Sequence, residues 1–300
     1  MSKPKSNNAK TISVALTLCL VCSVLVSAVA VGLKPAQVEN ARLDRNKNIL
    51  VAAGMYDAES DTAADVAERF KDFDVEIIDL SKGTYLDDDA LTAVGIPDRN
   101  AYDAGQATKN KALSEDLGAN DPAGIGRKPT YAKVYVKNDE AGKPEMVVLP
   151  IQGYGLWGTI YGFLTLESDM NTIKGISFYE HKETPGLGAR IEEPEWRAKW
   201  NGIESYDENG EVATGVTKAG TPKENWVDGI SGATLTGRGV SNMIQFWLGD
   251  QGYKPYLDSL RKESGQTLES ANTQANSSTQ PAQPKTELAA LPPVANGKEA

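Results

Sequence analysis

Residues 11–33 carry no charged side chain, and as a helix they would span about 35 Å, enough for the hydrocarbon core of a bilayer. No other stretch constrains the fold so strongly, because it divides the chain into a membrane anchor and a body tethered to it. Lys3, Lys5 and Lys10 precede the run, whereas Lys34, Arg42, Arg45 and Lys47 follow it. The basic residues are nearly balanced, so charge alone does not orient the span. Ala28-Val29-Ala30 is an acceptable cleavage site, which leaves a removed signal peptide and a freely secreted body as the competing reading. The run is longer than the usual signal-peptide core of roughly 7–15 residues, and that favours an uncleaved anchor at 11–33 behind a cytoplasmic N-terminus at 1–10. Either way the body lies outside the cytoplasm.

Both cysteines, Cys19 and Cys22, sit inside the apolar run, so the body has no disulfide and no thiolate metal site. Its one histidine, His181, cannot build a multi-histidine zinc site, and no metal is expected. With 31 basic and 41 acidic side chains the net charge is −10, which argues against a nucleic-acid partner.

Residues 34–130 read as a juxtamembrane stretch and an α/β part. Residues 49–55 suggest a short strand. Ser60 or Asp61 could cap a helix whose stripe is Ala63, Val66, Ala67, Phe70 and Phe73, and Val75, Ile77 and Leu80 alternate as a strand. Residues 81–128 are loop-like, and Asp87-Asp88-Asp89 lacks the ligand ladder of a calcium loop. Residues 131–262 form the second part of the body, opening with strands at 131–136 and 146–149. Gly153-Tyr154-Gly155-Leu156-Trp157-Gly158 is formally a G-x-G-x-x-G, but β-rich residues follow it where a dinucleotide site requires a helix. After a strand at 173–179 comes a Pro- and Gly-containing loop, 181–190, whose backbone can approach a flat ligand. Residues 192–200 suggest a short helix with Trp196 and Trp200 packed in the core, and 212–218 a strand with Lys218 solvated or near a phosphate. Residues 263–300 lack aromatic side chains and are rich in Ser, Gln, Asn, Thr, Ala and Pro, the composition of a disordered tail.

The run Asp228-Gly-Ile-Ser231-Gly232-Ala233-Thr234-Leu-Thr236 is harder to attribute to folding. It follows a strand end and precedes an apolar face formed by Val240, Met243, Ile244, Trp247 and Leu248. Thr234 therefore lies at or just before a helix N-terminus, where free N–H groups and the dipole favour an anion. Gly237 and Gly239 weaken the first turn, so its start is uncertain. On spacing alone Ser231, Thr234 and Thr236 read first as cap and turn residues, the usual role of such side chains.

The segment resembles the Asp-x-x-(Ser/Thr)-Gly-Ala-Thr motif of the FMN-binding domain family, in which the last Thr carries FMN as a phosphoester. Gly-Tyr-Gly-Leu-Trp-Gly is similar to that domain's opening, and Glu183-Thr-Pro-Gly-Leu-Gly188 to its flavin-facing loop. The resemblance implies an α+β fold in which a single N-terminal transmembrane helix is followed by an extracytoplasmic FMN-binding domain. It implies covalent FMN on Thr234, attached by a flavin transferase that uses FAD. Asp228, Ser231, Gly232, Ala233, Glu183, Thr184, Gly186, Leu187 and Gly188 would be the other flavin-binding positions, and no residue is expected to act in acid–base catalysis. With an anchor and these loops in order, the chain resembles the C subunits of sodium-translocating NADH:quinone oxidoreductases. They belong to membrane complexes of six subunits in the bacterial inner membrane, with the body periplasmic. The resemblance implies an electron relay from an iron–sulfur centre toward a neighbouring flavin, on the way from NADH to ubiquinone, coupled to sodium export. The flavin subunit of the ion-pumping ferredoxin:NAD oxidoreductase and an anchored non-redox binding module remain as alternatives.

Overall fold

The computed structural model describes residues 8–265; most of the expected tail and the first seven residues lie outside them. Helix α1 (Asn8–Ala52) carries the apolar run and continues unbroken into the body. At 1.5 Å per residue it is about 68 Å long, against a bilayer core of about 30 Å. Among the described residues it is the one helix long and apolar enough to cross a membrane. Leu16, Leu20 and Val24 are exposed along it, as lipid contact requires. Residues 49–55, expected as a strand, are the end of this helix and the turn after it. Asn46, Ile49, Leu50 and Ala53 are buried at i, i+3, i+4 and i+7, a helical repeat that a window opening at residue 49 cuts in half.

Helix α2 (Ala63–Arg69) starts later than a Ser60 or Asp61 cap implies, by two residues or one. Thr62 caps it in a reciprocal capping box with Asp65, while Asp61 pairs instead with Arg69 at 2.6 Å. Strands β1 (Phe73–Asp79) and β2 (Thr84–Tyr85) follow, then α3 (Asp88–Ala93), whose N-terminal Ala90 N–H is accepted by the Asp87 carboxylate at 2.8 Å. Helix α4 (Ala104–Ala107) and the small hairpin β3 (Ser114–Asp116) and β4 (Arg127–Pro129) lead to the main strands. These are β5 (Tyr131–Asn138), β6 (Pro144–Tyr154), β7 (Thr159–Glu167) and β8 (Ile173–Glu180). Then come α5 (Pro194–Arg197), β9 (Gly215–Val216) paired parallel with β10 (Trp226–Val227), α6 (Thr234–Leu248) and α7 (Lys254–Glu263). The expected strand at 212–218 shrinks to the two residues of β9. The expected helix at 192–200 starts at Pro194 as α5 and tightens into a 3-10 turn over Ala198–Trp200, with Trp196 and Trp200 both buried, edge to face at 5.9 Å.

The central sheet runs β2-β1-β5-β6-β7-β8 and every pairing in it is antiparallel. Strand alternation sends Val134, Val147, Leu149, Ile151, Ile160 and Leu164 to one face, where α6 and α7 cover them. Tyr135, Met146, Val148 and Phe163 point to the other face, where Ile49, Leu50 and Val66 pack. The result is an α+β sandwich in which the anchor helix itself seals one face of the sheet. That continuity ties the orientation of the body to the anchor.

Lys133 of β5 is 7 % exposed on this second face and donates to the Asn100 carbonyl at 2.9 Å. Burial pushes its ammonium down to about 8, with Arg45 adding a smaller effect. The charged form is thus disfavoured in the folded state, a cost present in full below pH 8 that fades as pH rises toward the unfolded value near 10.4. Lys133→Met should therefore stabilise the protein at pH 7 by about 2 kcal/mol, after allowing for the carbonyl left unpaired. Chemical denaturation at several pH values checks this, because the wild type should close the gap between pH 8 and about 10.

Candidate functional site

The tip of the β6–β7 hairpin, the loop after β8 and the first turn of α6 meet at one buried carboxylate. Hairpin residues 155–158 form a tight turn in which the Gly155 N–H donates to the Gly158 carbonyl at 2.8 Å. A hairpin here removes the dinucleotide reading of the glycine pattern, since no helix follows. In the loop after β8, Thr184-Pro185-Gly186-Leu187 closes with the Leu187 N–H on the Thr184 carbonyl at 3.1 Å. Gly186 sits at φ +75° behind Pro185, the arrangement of a type II turn.

Thr234 is the first residue of α6 and is exposed. The position before it is Ala233, and no side chain caps the helix. Ser231 and Thr234 are therefore not caps, contrary to the commonplace role of such residues. The Thr234 hydroxyl makes no hydrogen bond among the described residues, so it is free to react. Thr236, two residues on, is 1 % exposed and donates to Glu183 Oε2 at 2.5 Å. Glu183 Oε1 accepts the N–H groups of Leu156 at 2.8 Å and Trp157 at 3.0 Å. In the same loop, His181 Nδ1 accepts the Glu183 N–H at 3.1 Å. Its Nε2 lies 2.8 Å from Glu192 Oε1 without hydrogen-bond geometry.

Glycines allow this convergence. A Cβ on Gly155 would stand 2.5 Å from Glu183 Oε1, and one on Gly188 2.5 Å from the Thr236 hydroxyl. One on Gly239 would meet the Tyr154 carbonyl at 2.5 Å, so α6 and the hairpin touch backbone to backbone. Gly232, at φ +79°, lies beneath Leu187, whose Cδ2 would be 3.2 Å from a Cβ there.

The structure thus gathers Glu183, Gly188, Leu187, Gly232 and the first turn of α6 into one place, with Thr184, Gly186, Ser231 and Thr234 exposed around it. Two expected positions face elsewhere. The Glu183 carboxylate points inward to three protein donors. Asp228 accepts the Gly220 N–H at 2.8 Å, and its own carbonyl accepts from Trp196 Nε1 at 3.1 Å. Asp228 therefore holds the 217–220 turn beside the motif, and Lys218 on that turn is exposed. Sequence reasoning missed Thr236 as a tie, and it missed Leu156 and Trp157 as members of the site. The glycine pattern at 153–158 was readable only as a turn before a strand, and nothing in it named Glu183 as the group that the 156–157 backbone holds.

Tyr154, Leu156, Trp157, Leu187 and Leu235 are exposed, Trp157 to 61 %. Among the described residues outside α1 the only other exposed large apolar side chain is Tyr85, so the apolar surface of the body is concentrated in the three segments that meet at Glu183. A clustered patch of this kind marks a binding surface. A free hydroxyl, an uncapped helix N-terminus and an apolar platform suit a flat aromatic group joined through a phosphate, so the residues present fit FMN. A cavity of about 380 Å³ lies elsewhere, lined by Arg45, Lys133, Tyr135, Tyr161 and Tyr179 among others, and none of its lining belongs to the motif or to the loop after β8.

A model of the FMN-binding domain matches residues 155–249, which contain all three segments. The C subunit of the Na(+)-translocating NADH-quinone reductase of Pseudomonas aeruginosa is 40% identical over 265 residues, 86% of this chain and 98% of the relative. Its counterpart from Vibrio parahaemolyticus is 42% identical over 265 residues, 85% of this chain and 97% of the relative. Among solved structures, NqrC of Shewanella oneidensis superposes with a TM-score of 0.64 at 32% identity, covering 74% of this chain and 99% of that one. The corresponding C subunit from Parabacteroides distasonis gives 0.57 at 26% identity, over 75% and 96% of the two chains. Identity at this level over nearly the whole length of the relatives places the chain in the family of C subunits of the Na(+)-translocating NADH-quinone reductase.

Proposed function

We infer that this chain is the electron-relay subunit of a Na(+)-translocating NADH-quinone reductase and works with FMN held covalently on Thr234. The observation that carries the reading is the exposed, unbonded hydroxyl of Thr234 at the uncapped start of α6, beside the apolar side chains of Leu187 and Leu235. FMN when bound accepts and releases single electrons, so the tasks of the protein are attachment, orientation and shielding. Thr184, Gly186, Leu187, Gly188, Ser231, Gly232 and Ala233 line the bound flavin in this reading. Glu183 and Asp228 act through the shape of the loops they brace.

Attachment is a phosphoryl transfer catalysed by a flavin transferase. Thr234 Oγ1 bonds to the FMN phosphorus of FAD, the pyrophosphate bond breaks, AMP leaves, and the hydroxyl proton passes to a base of the transferase. The free N–H groups at the start of α6 favour the resulting phosphate charge. The body lies on the periplasmic side of the inner membrane, where α1 joins it to the other five members of the complex. Covalent attachment then prevents loss of a cofactor that no periplasmic pool would replace. Matches to the C subunits over most of the chain support this reading over the ferredoxin-linked flavin subunit and over a non-redox module.

The test is the intact mass of the full chain purified after co-expression with a flavin transferase. One FMN increment per chain, on the peptide containing Thr234, is expected. FMN on Ser231 or Thr236 would move the site, and an unmodified chain would refute the reading.

A further inference from the structure

We propose that Glu183 is a positioning residue for attachment: by holding the Thr236 hydroxyl and the 156–157 backbone together, it presents the Thr234 oxygen outward in a fixed direction. The proposal rests on the reading of Thr234 as the attachment site. Successive helix residues turn by about 100°, so positions two apart lie on nearly opposite sides. Anchoring Thr236 inward thereby turns Thr234 outward.

The first turn of α6 needs such an anchor. It has no side-chain cap, and Gly237 and Gly239 lower its intrinsic helicity. Among the described residues, the Thr236 hydroxyl on Glu183 Oε2 is the one side-chain hydrogen bond made by residues 234–239. The other oxygen of the same carboxylate grips the hairpin that carries Leu156 and Trp157. A negative carboxylate at this end of α6 also interacts favourably with the helix dipole. One buried side chain therefore couples acceptor, helix start and apolar platform. A transferase that must align Thr234 Oγ1 with a phosphorus gains from an acceptor already held in place. The same tie withdraws the Thr236 hydroxyl from solvent, which separates two threonines that sequence alone does not distinguish.

The decisive comparison is Thr236→Val against Thr236→Ser in the full chain, with Glu183→Gln alongside. Initial rates of covalent FMN incorporation are measured by intact mass at limiting transferase, with melting temperature and hydrogen exchange of residues 234–239 recorded on the same samples. Thr236→Val should slow incorporation at least tenfold and speed exchange of the first turn, while a cooperative melt shows that the body remains folded. Thr236→Ser keeps the hydroxyl and should recover a rate within about twofold of wild type. Glu183→Gln, which keeps the shape but weakens the acceptor, should fall between them. Wild-type rates in Thr236→Val, or a serine variant no faster than the valine one, would overturn the proposal while leaving Thr234 as the attachment site. A wild-type chain that takes up no covalent FMN would remove both. Should Glu183→Gln fail to fold, the valine and serine pair still decides the matter.

Discussion

Thr234→Ala should remove all covalent flavin and leave the fold of the body unchanged. The side chain is exposed, caps nothing and makes no hydrogen bond among the described residues, so its loss breaks no hydrogen bond. Alanine is also the better helix former at the first position of α6. The expected change in stability is within about 0.5 kcal/mol, against complete loss of the modification. Ser231→Ala should keep covalent flavin, because Ser231 neighbours the attachment oxygen without supplying it. Intact mass reads the first effect and thermal melting the second. In the assembled complex the Thr234 variant should be present at normal amounts yet show no NADH-dependent quinone reduction, since the relay lacks a carrier. Covalent flavin persisting in Thr234→Ala would relocate the site.

The largest expected effect on stability comes from the same face of the sheet as α6 but beyond the other end of that helix, at Arg261 of α7. This side chain is 3 % exposed and donates to the Met170 carbonyl at 2.7 Å and to Asp258 at 2.5 Å, with its guanidinium 4.9 Å from the centre of the Tyr206 ring. Met170 stands in the β7–β8 turn at φ +56°, a conformation uncommon for a side-chain-bearing residue. Tyr206 in turn donates to the Leu248 carbonyl at 2.7 Å, at the end of α6. Arg261 therefore joins α7, the strained turn and the end of the helix that starts at Thr234. Arg261→Leu keeps apolar bulk but leaves the Met170 carbonyl without its donor and removes the cation from the Tyr206 face. The expected cost is about 3 kcal/mol, read as a melting temperature lower by roughly 6–12 °C. Flavin incorporation at low temperature should survive, because Thr234 and Glu183 lie at the opposite end of α6. A variant that melts like the wild type would show that α7 does not close the fold.

Local chemistry was legible in the chain. The uncharged run of α1, the alternation of the main strands and the helical face of α6 depend on near neighbours, and so does the prediction that Gly153 to Gly158 precede a strand. The motif around Thr234 was likewise readable as a helix entrance. Failures began where a short window cut a longer repeat, as at residues 49–55, or where several hydroxyl and acidic residues compete to cap, as at Ser60, Asp61 and Thr62. The tertiary structure alone decided what each polar side chain does. Glu183 and Thr236 are 53 positions apart, and nothing in either segment says that one will accept from the other. The same holds for Asp228 and the Gly220 N–H, and for the glycines, which announce close approach without naming the partner. Periodicity is a property of adjacent residues, so sequence carries it. The direction of a buried hydrogen bond is set by which segments the sheet and α6 bring together, and only the folded chain makes that choice.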